Sequence, residues 1–92
     1  MIKSFKHKGL EKFYINGSIK GIQSEHASKI KIILTRLNQL EKISDMNVPS
    51  FKLHPLKGDL KNHWAVKVNG NWRITFIFED KNVYIVDYQD YH

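Results

Sequence analysis

The spacing of the hydrophobic residues changes halfway along this chain, and that change constrains the fold more than any other feature. From about Glu25 to Ile43 the apolar residues recur at steps of three and four, which predicts a helix with one apolar face. Beyond Pro49 the segments WAVKV and WRITFIF place large apolar residues at every second position, which predicts β-strands. The chain is therefore expected to be helical first and extended afterwards.

Shorter signals fill in the rest of this layout. Asn69-Gly70 between the two alternating segments predicts a tight hairpin, NVYIVDY predicts a further strand, and FKLHPL a short leading strand. FKHKGLEKFY has a looser helical pattern, and Ser24 is a candidate N-cap for the long helix. The prediction is an α+β fold with two N-terminal helices packed on a three- to four-stranded antiparallel sheet.

Strand alternation also predicts which way the side chains of WRITFIF point. Trp72, Ile74, Phe76 and Phe78 would face the helices, and Arg73 would point with Thr75 to the opposite, partly open side. An arginine on an open face is either a solvated side chain or a phosphate ligand, because its planar fork matches phosphate oxygens.

Length and composition limit the class of protein. Ninety-two residues predict a single domain, residues 1–92, and the chain contains no cysteine. No segment approaches the roughly 20 apolar residues of a membrane span, and no signal peptide is visible. We therefore expect a cytoplasmic protein with no membrane partner.

The charge indicates a polyanionic partner. The net charge is +6, and between Lys52 and Arg73 five basic residues accompany a single acidic one, Asp59. A solvated basic face is the plainer interpretation, and nucleic acid is the alternative that the size of the bias favours.

The side chains of this region allow RNA cleavage without a metal. The five histidines lack the spacing of metal ligands, so we predict neither a metal site nor a cofactor. Cleavage through the ribose 2′-OH needs a base, an acid and cations near the phosphate, which histidine, lysine and arginine provide. The candidates are His54, Lys57, Arg73, Tyr91 and His92.

Three segments together resemble a known family. LHPLKGDLKNHW, VNGNWRITFIFED and the closing DYQDYH are similar, at these spacings, to the HigB toxins of the RelE/ParE superfamily of toxin–antitoxin systems. The resemblance covers essentially the whole chain. It implies a microbial-RNase-like α+β fold and a ribosome-dependent endoribonuclease that cuts mRNA in the ribosomal A site.

The resemblance also implies site residues and partners. Lys57 and Arg73 would stabilise the phosphate charge, His92 and His54 would transfer protons, Tyr91 would stack on a base, and Asp90 would orient an imidazole or contact a base. Lys52, Lys61 and Lys67 would bind RNA, although Lys67 stands where many relatives carry arginine. The implied partners are a HigA-type antitoxin with a helix-turn-helix domain, the ribosome with its mRNA, and operator DNA bound through the antitoxin complex.

Two other functions remain open on the sequence alone. A ParE-like gyrase-inhibiting toxin would share the fold, and a non-catalytic nucleic-acid-binding module would share the charge. The terminal His92 would in either case be a frayed chain end.

Overall fold

The computed structural model describes residues 1–91 and contains two helices and four strands. All neighbouring strands are antiparallel and follow the order β1-β2-β3-β4, as expected for a meander. The predicted α+β fold is confirmed. Its elements are α1 (Lys8–Asn16), α2 (Ala27–Asn38), β1 (His54–Pro55), β2 (Trp64–Asn69), β3 (Trp72–Glu79) and β4 (Asn82–Asp90).

Helix α1 contains a glycine because of a close backbone crossing. The Nδ1 atom of His7 accepts a hydrogen bond of 2.9 Å from the Leu10 N–H and so caps the helix. A Cβ atom on Gly9 would lie 2.7 Å from the Cα of Gly21, in the loop that follows the helix. Gly9 weakens helix propensity, but it is the residue that lets the loop cross α1 in contact with it.

Helix α2 is shorter than predicted. A 3₁₀ turn, Ser24–His26, leads into it, and Ser24 lies inside that turn without capping the helix. The helix ends at Asn38, so the expected end at Ile43 is wrong. Leu40 is buried and Ile43 packs against the core after the helix has ended, which explains why the apolar spacing continues.

The predicted faces of β3 are confirmed. Ile74 and Phe76 are fully buried, and Trp72 and Phe78 are half-buried against the same core, which lies between the helices and the sheet. Thr75 is on the opposite face, as expected, but is only 1% exposed. We call this second side the outer face, and it is open only in part.

The first residues of the chain cover the free edge of β4. Ile2 and Phe5 form parallel bridges with Val83 and Val86, and the Lys3 N–H donates to the Val83 carbonyl at 2.7 Å. This pairing supplies partners to an edge strand that would otherwise expose its backbone.

None of the helices within residues 1–91 is long and apolar enough to cross a membrane.

Candidate active site

A cleft of about 410 Å³ opens on the outer face of the sheet, beside the β2–β3 hairpin. Six of the side chains predicted for the site line it: Lys52, His54, Lys57, Lys67, Arg73 and Tyr91. Among residues 1–91, none of those that line the cleft is acidic, so the described walls carry positive charge and attract a polyanion.

Sheet register explains how distant residues meet in this cleft. His54 pairs with Ala65 across β1 and β2, Lys67 pairs with Arg73 across β2 and β3, and Arg73 pairs with Gln89 across β3 and β4. Directly paired residues point to the same side of a sheet. Imidazole, ammonium and guanidinium groups are therefore placed on one surface by three strands.

The hydrogen bond of His54 defines its tautomer. Its Nδ1 atom lies 2.9 Å from the Lys52 carbonyl oxygen, which can only accept. Nδ1 therefore carries a proton and donates, so that in the neutral ring Nε2 holds a free lone pair. Because His54 is exposed at the cleft, this nitrogen is available to accept a proton from a substrate.

Arg73 is half-buried and held on two sides. Its Nη2 atom donates to Gln89 Oε1 at 3.4 Å, and its Cζ atom lies 4.3 Å from the centre of the Tyr91 ring. Its Nε–H is buried and has no hydrogen-bond partner within residues 1–91. The stacked tyrosine and the amide together limit the orientations that the guanidinium plane can adopt.

Tyr91 reaches the cleft because the end of β4 is tied to the hairpin. The Tyr91 N–H donates to the Asn71 carbonyl at 2.7 Å. This bond keeps the residue in place although its side chain is 57% exposed.

Two of the predicted site residues that the structure describes are not brought into the cleft. Asp90 pairs with Trp72 and so belongs to the face opposite Arg73, and Lys61 is exposed beyond the 3₁₀ turn Gly58–Leu60. His92 lies outside the described residues.

Two polar residues on β4 were missed by sequence analysis. Gln89 contacts Arg73, and Asp87 accepts a 2.8 Å hydrogen bond from the Gln89 Nε2 group. Their alternation with Val86 and Tyr88 is visible in the sequence and indicates a polar outer face. Their contact with Arg73 depends on the register between β3 and β4, which the sequence does not reveal.

A lysine of α2 adds to the positive charge near the cleft. Lys29 donates to the Ser50 carbonyl at 3.0 Å. Partial burial and the nearby positive charge of Lys67 lower the pKa of the Lys29 ammonium. The cationic region therefore extends from Lys67 toward α2.

Buried aromatic residues support the cleft from the core side. The Trp72 ring, at the cleft, stacks on Tyr88 with 4.4 Å between the ring centres. The Tyr88 hydroxyl lies 2.6 Å from His26 Nδ1 and accepts a 3.3 Å bond from the Gln23 N–H. Burial raises the pKa of the Tyr88 hydroxyl, so the group stays neutral and hydrogen-bonded to His26.

Within residues 1–91, no three histidine, aspartate or glutamate side chains are close enough together to hold a metal ion.

Comparison with known proteins identifies the family of this chain by sequence and relates its fold to solved structures. A family model described as the RelE-like toxin of type II toxin–antitoxin system HigB matches residues 3–92. Endoribonuclease HigB of Proteus vulgaris is 42% identical over 92 residues, which is 100% of both chains.

Solved structures agree on the fold alone, because their sequence identity is low. The YoeB-YefM complex from Staphylococcus aureus aligns with a TM-score of 0.63 and 17% identity, covering 100% of this chain and 98% of that one. YafQ from E. coli strain BL21(DE3) aligns with a TM-score of 0.65 and 17% identity, covering 98% of this chain and 91% of that one.

Proposed function

This chain belongs to the HigB toxins of the RelE-like superfamily, and from that premise we propose that it is a ribosome-dependent endoribonuclease that cuts mRNA in the ribosomal A site. Endoribonuclease activity follows from the full-length relative of that name. The observation that carries the proposal is the cleft in which His54, Lys57 and Arg73 converge, with no acidic residue among the described residues that line it.

The chemistry uses the RNA's own 2′-hydroxyl as nucleophile. His54 Nε2 takes the proton of that hydroxyl, and the 2′-oxygen forms a bond to the adjacent phosphorus. Arg73 and Lys57 stabilise the negative charge that builds up on the phosphate oxygens. The bond from phosphorus to the 5′-oxygen then breaks, which leaves a 2′,3′-cyclic phosphate and a 5′-hydroxyl end.

The departing 5′-oxygen needs a proton, and we assign its delivery to His92. His92 directly follows Tyr91, whose side chain lines the cleft. Tyr91 offers an exposed ring on which an unpaired base stacks. Asp90 is on the face opposite Arg73, and we assign it to orient an imidazole or to contact a base.

RNA outside the cut codon follows the cationic region. Lys52 and Lys67 line the cleft. Lys61 is exposed and follows the cleft residue Lys57 closely in the sequence. Lys67 keeps a positive charge at a position where arginine would offer a planar fork, so its contact with a phosphate comes from one ammonium nitrogen and is not bidentate.

We further propose a HigA-type antitoxin with a helix-turn-helix domain as the neutralising partner, and operator DNA as the ligand of the complex. Membership of a toxin–antitoxin family supports an antitoxin partner. Binding to the ribosome would use the same positive surface that attracts RNA.

A cell-free translation reaction tests the function. Purified protein is added to a reaction with one defined mRNA, and cleavage sites are mapped by primer extension, with naked mRNA in a parallel tube. The expected result is cuts within codons only when ribosomes are present. Cuts in both tubes would refute ribosome dependence, and cuts in neither would refute the endoribonuclease.

A matched pair of histidine variants tests the assigned base. His54→Ala should lower the cleavage rate by about a hundredfold or more, the usual contribution of a general base. His63→Ala is the control, because His63 forms the same kind of bond, from Nδ1 to the Lys61 carbonyl, outside the cleft. Equal activities of the two variants would contradict the role of His54.

A further inference from the structure

We propose that Asp87 and Gln89 are positioning residues that hold the Arg73 guanidinium in the orientation needed for phosphate. This inference rests on the proposed RNA cleavage, in which Arg73 contacts the phosphate. Neither residue lines the cleft, so each acts through Arg73 and not on the substrate itself.

The three side chains form one directed chain of hydrogen bonds. Asp87 Oδ2 accepts from Gln89 Nε2 at 2.8 Å, and Gln89 Oε1 accepts from Arg73 Nη2 at 3.4 Å. Asp87 Oδ1 is also occupied, because it accepts from the Tyr88 N–H at 2.9 Å. Both oxygens of the carboxylate are therefore in use within the strand.

The carboxylate determines which way the glutamine amide points. An ionised Asp87 can only accept, so Gln89 must present its NH₂ group to it and its oxygen to Arg73. A glutamine with the opposite orientation would direct an N–H donor at another donor. Asp87 thus fixes the amide without an ion pair to Arg73, whose positive charge remains available to a phosphate.

The position of Asp87 itself requires an explanation. A negative charge beside a phosphate-binding cleft weakens the attraction for RNA. The Tyr91 ring lies 4.3 Å from the Arg73 Cζ atom, and Gln89 accepts a hydrogen bond from Arg73 Nη2. Asp87 holds Gln89 in turn, so contacts on two sides define the plane of the guanidinium. A planar fork binds phosphate oxygens in a bidentate manner only when its plane is aligned with them.

Asp87→Asn tests this role with almost no change of shape. An asparagine has one donor and one acceptor end, so either the Tyr88 N–H or the Gln89 amide meets an N–H group. We expect ribosome-dependent cleavage to fall about tenfold. If Asp87 acted only through its charge, the substitution would raise the cleavage rate, because removal of a negative charge strengthens RNA binding.

Asp80→Asn is the matched control. It makes the same change of charge in the β3–β4 turn, where φ is 51° and asparagine is well tolerated. Cleavage by this variant should equal that of the unmodified protein. Loss of activity in both variants, or in neither, would overturn the proposal.

A double substitution separates positioning from a general loss of structure. If Asp87 acts through Arg73, Asp87→Asn should have no further effect on the residual cleavage of Arg73→Ala. A tenfold loss in both backgrounds would show that Asp87 does not act through Arg73.

An NMR measurement keeps the inference testable if the unmodified protein cuts no mRNA. The Nε–Hε signal of Arg73 is followed in ¹⁵N-labelled protein during titration with inorganic phosphate. We expect a clear shift in the unmodified protein and in Asp80→Asn, and a shift reduced at least twofold in Asp87→Asn. Equal shifts in all three proteins would overturn the positioning role, whatever the enzyme assay shows.

Discussion

Replacement of Tyr88 by phenylalanine should destabilise the protein through a single oxygen atom. The hydroxyl is bonded to His26 Nδ1 at 2.6 Å, and His26 is only 3% exposed. Without it, the buried imidazole nitrogen lacks a partner, which costs about 1–3 kcal/mol. The Gln23 N–H also loses a 3.3 Å bond, but Gln23 is exposed and water can replace that bond at little cost.

The expected loss is therefore about 2 kcal/mol, or roughly 8–16 °C in melting temperature for a domain of this size. Urea unfolding followed by tryptophan fluorescence measures the free energy, and Trp72 reports directly because it stacks on Tyr88. Tyr84→Phe is the control, since the Tyr84 hydroxyl makes none of the hydrogen bonds found within residues 1–91. Equal free energies of unfolding for the two variants would refute the assigned role of the hydroxyl.

Three further predictions concern stability and activity. Gly21→Ala should cost about 1–3 kcal/mol of unfolding free energy, because its Cβ would lie 2.6 Å from the Gly9 Cα, and unchanged urea unfolding would contradict that crossing. Arg73→Ala should lower mRNA cleavage about a hundredfold or more at a nearly unchanged melting temperature, and a large fall in that temperature would show that Arg73 supports the core. Burial raises the pKa of Tyr88 above its ordinary 10.0, so its contribution to stability is complete below pH 10 and is lost as the pH rises through the raised value. Thermal unfolding at a series of alkaline pH values measures this loss, which Tyr88→Phe should not show.

Local patterns predicted the sheet well because strands obey a short-range rule. Alternation correctly predicted that Arg73 lies on the other face of β3 from Ile74 and Phe76. Asn69-Gly70 forms the predicted hairpin between β2 and β3, with φ of 56° at the glycine. The end of α2 was misjudged because Leu40 is buried after the helix has ended. Burial alone therefore does not distinguish a helix from the turn that follows it.

The site was harder to predict because it depends on register. The terminal motif DYH suggests three residues acting together, yet strand pairing places Asp90 on the side of Trp72. Gln89 could be recognised only by its alignment with Arg73 across two strands. A register shift between Thr75 and Ile77 adds an irregularity that no alternation rule anticipates.

The bridges that Ile2 and Phe5 form with β4 join segments that lie far apart in the sequence. While the ribosome is still making β3 and β4, the segment containing Ile2 and Phe5 has no strand to pair with. Gln89 and Tyr91, which contact Arg73, follow the other described residues that line the cleft in the sequence and are therefore synthesised after them. The cleft is therefore completed only after β4 has been made and has paired with β3, so Arg73 gains the contacts that position it late in the folding of the chain.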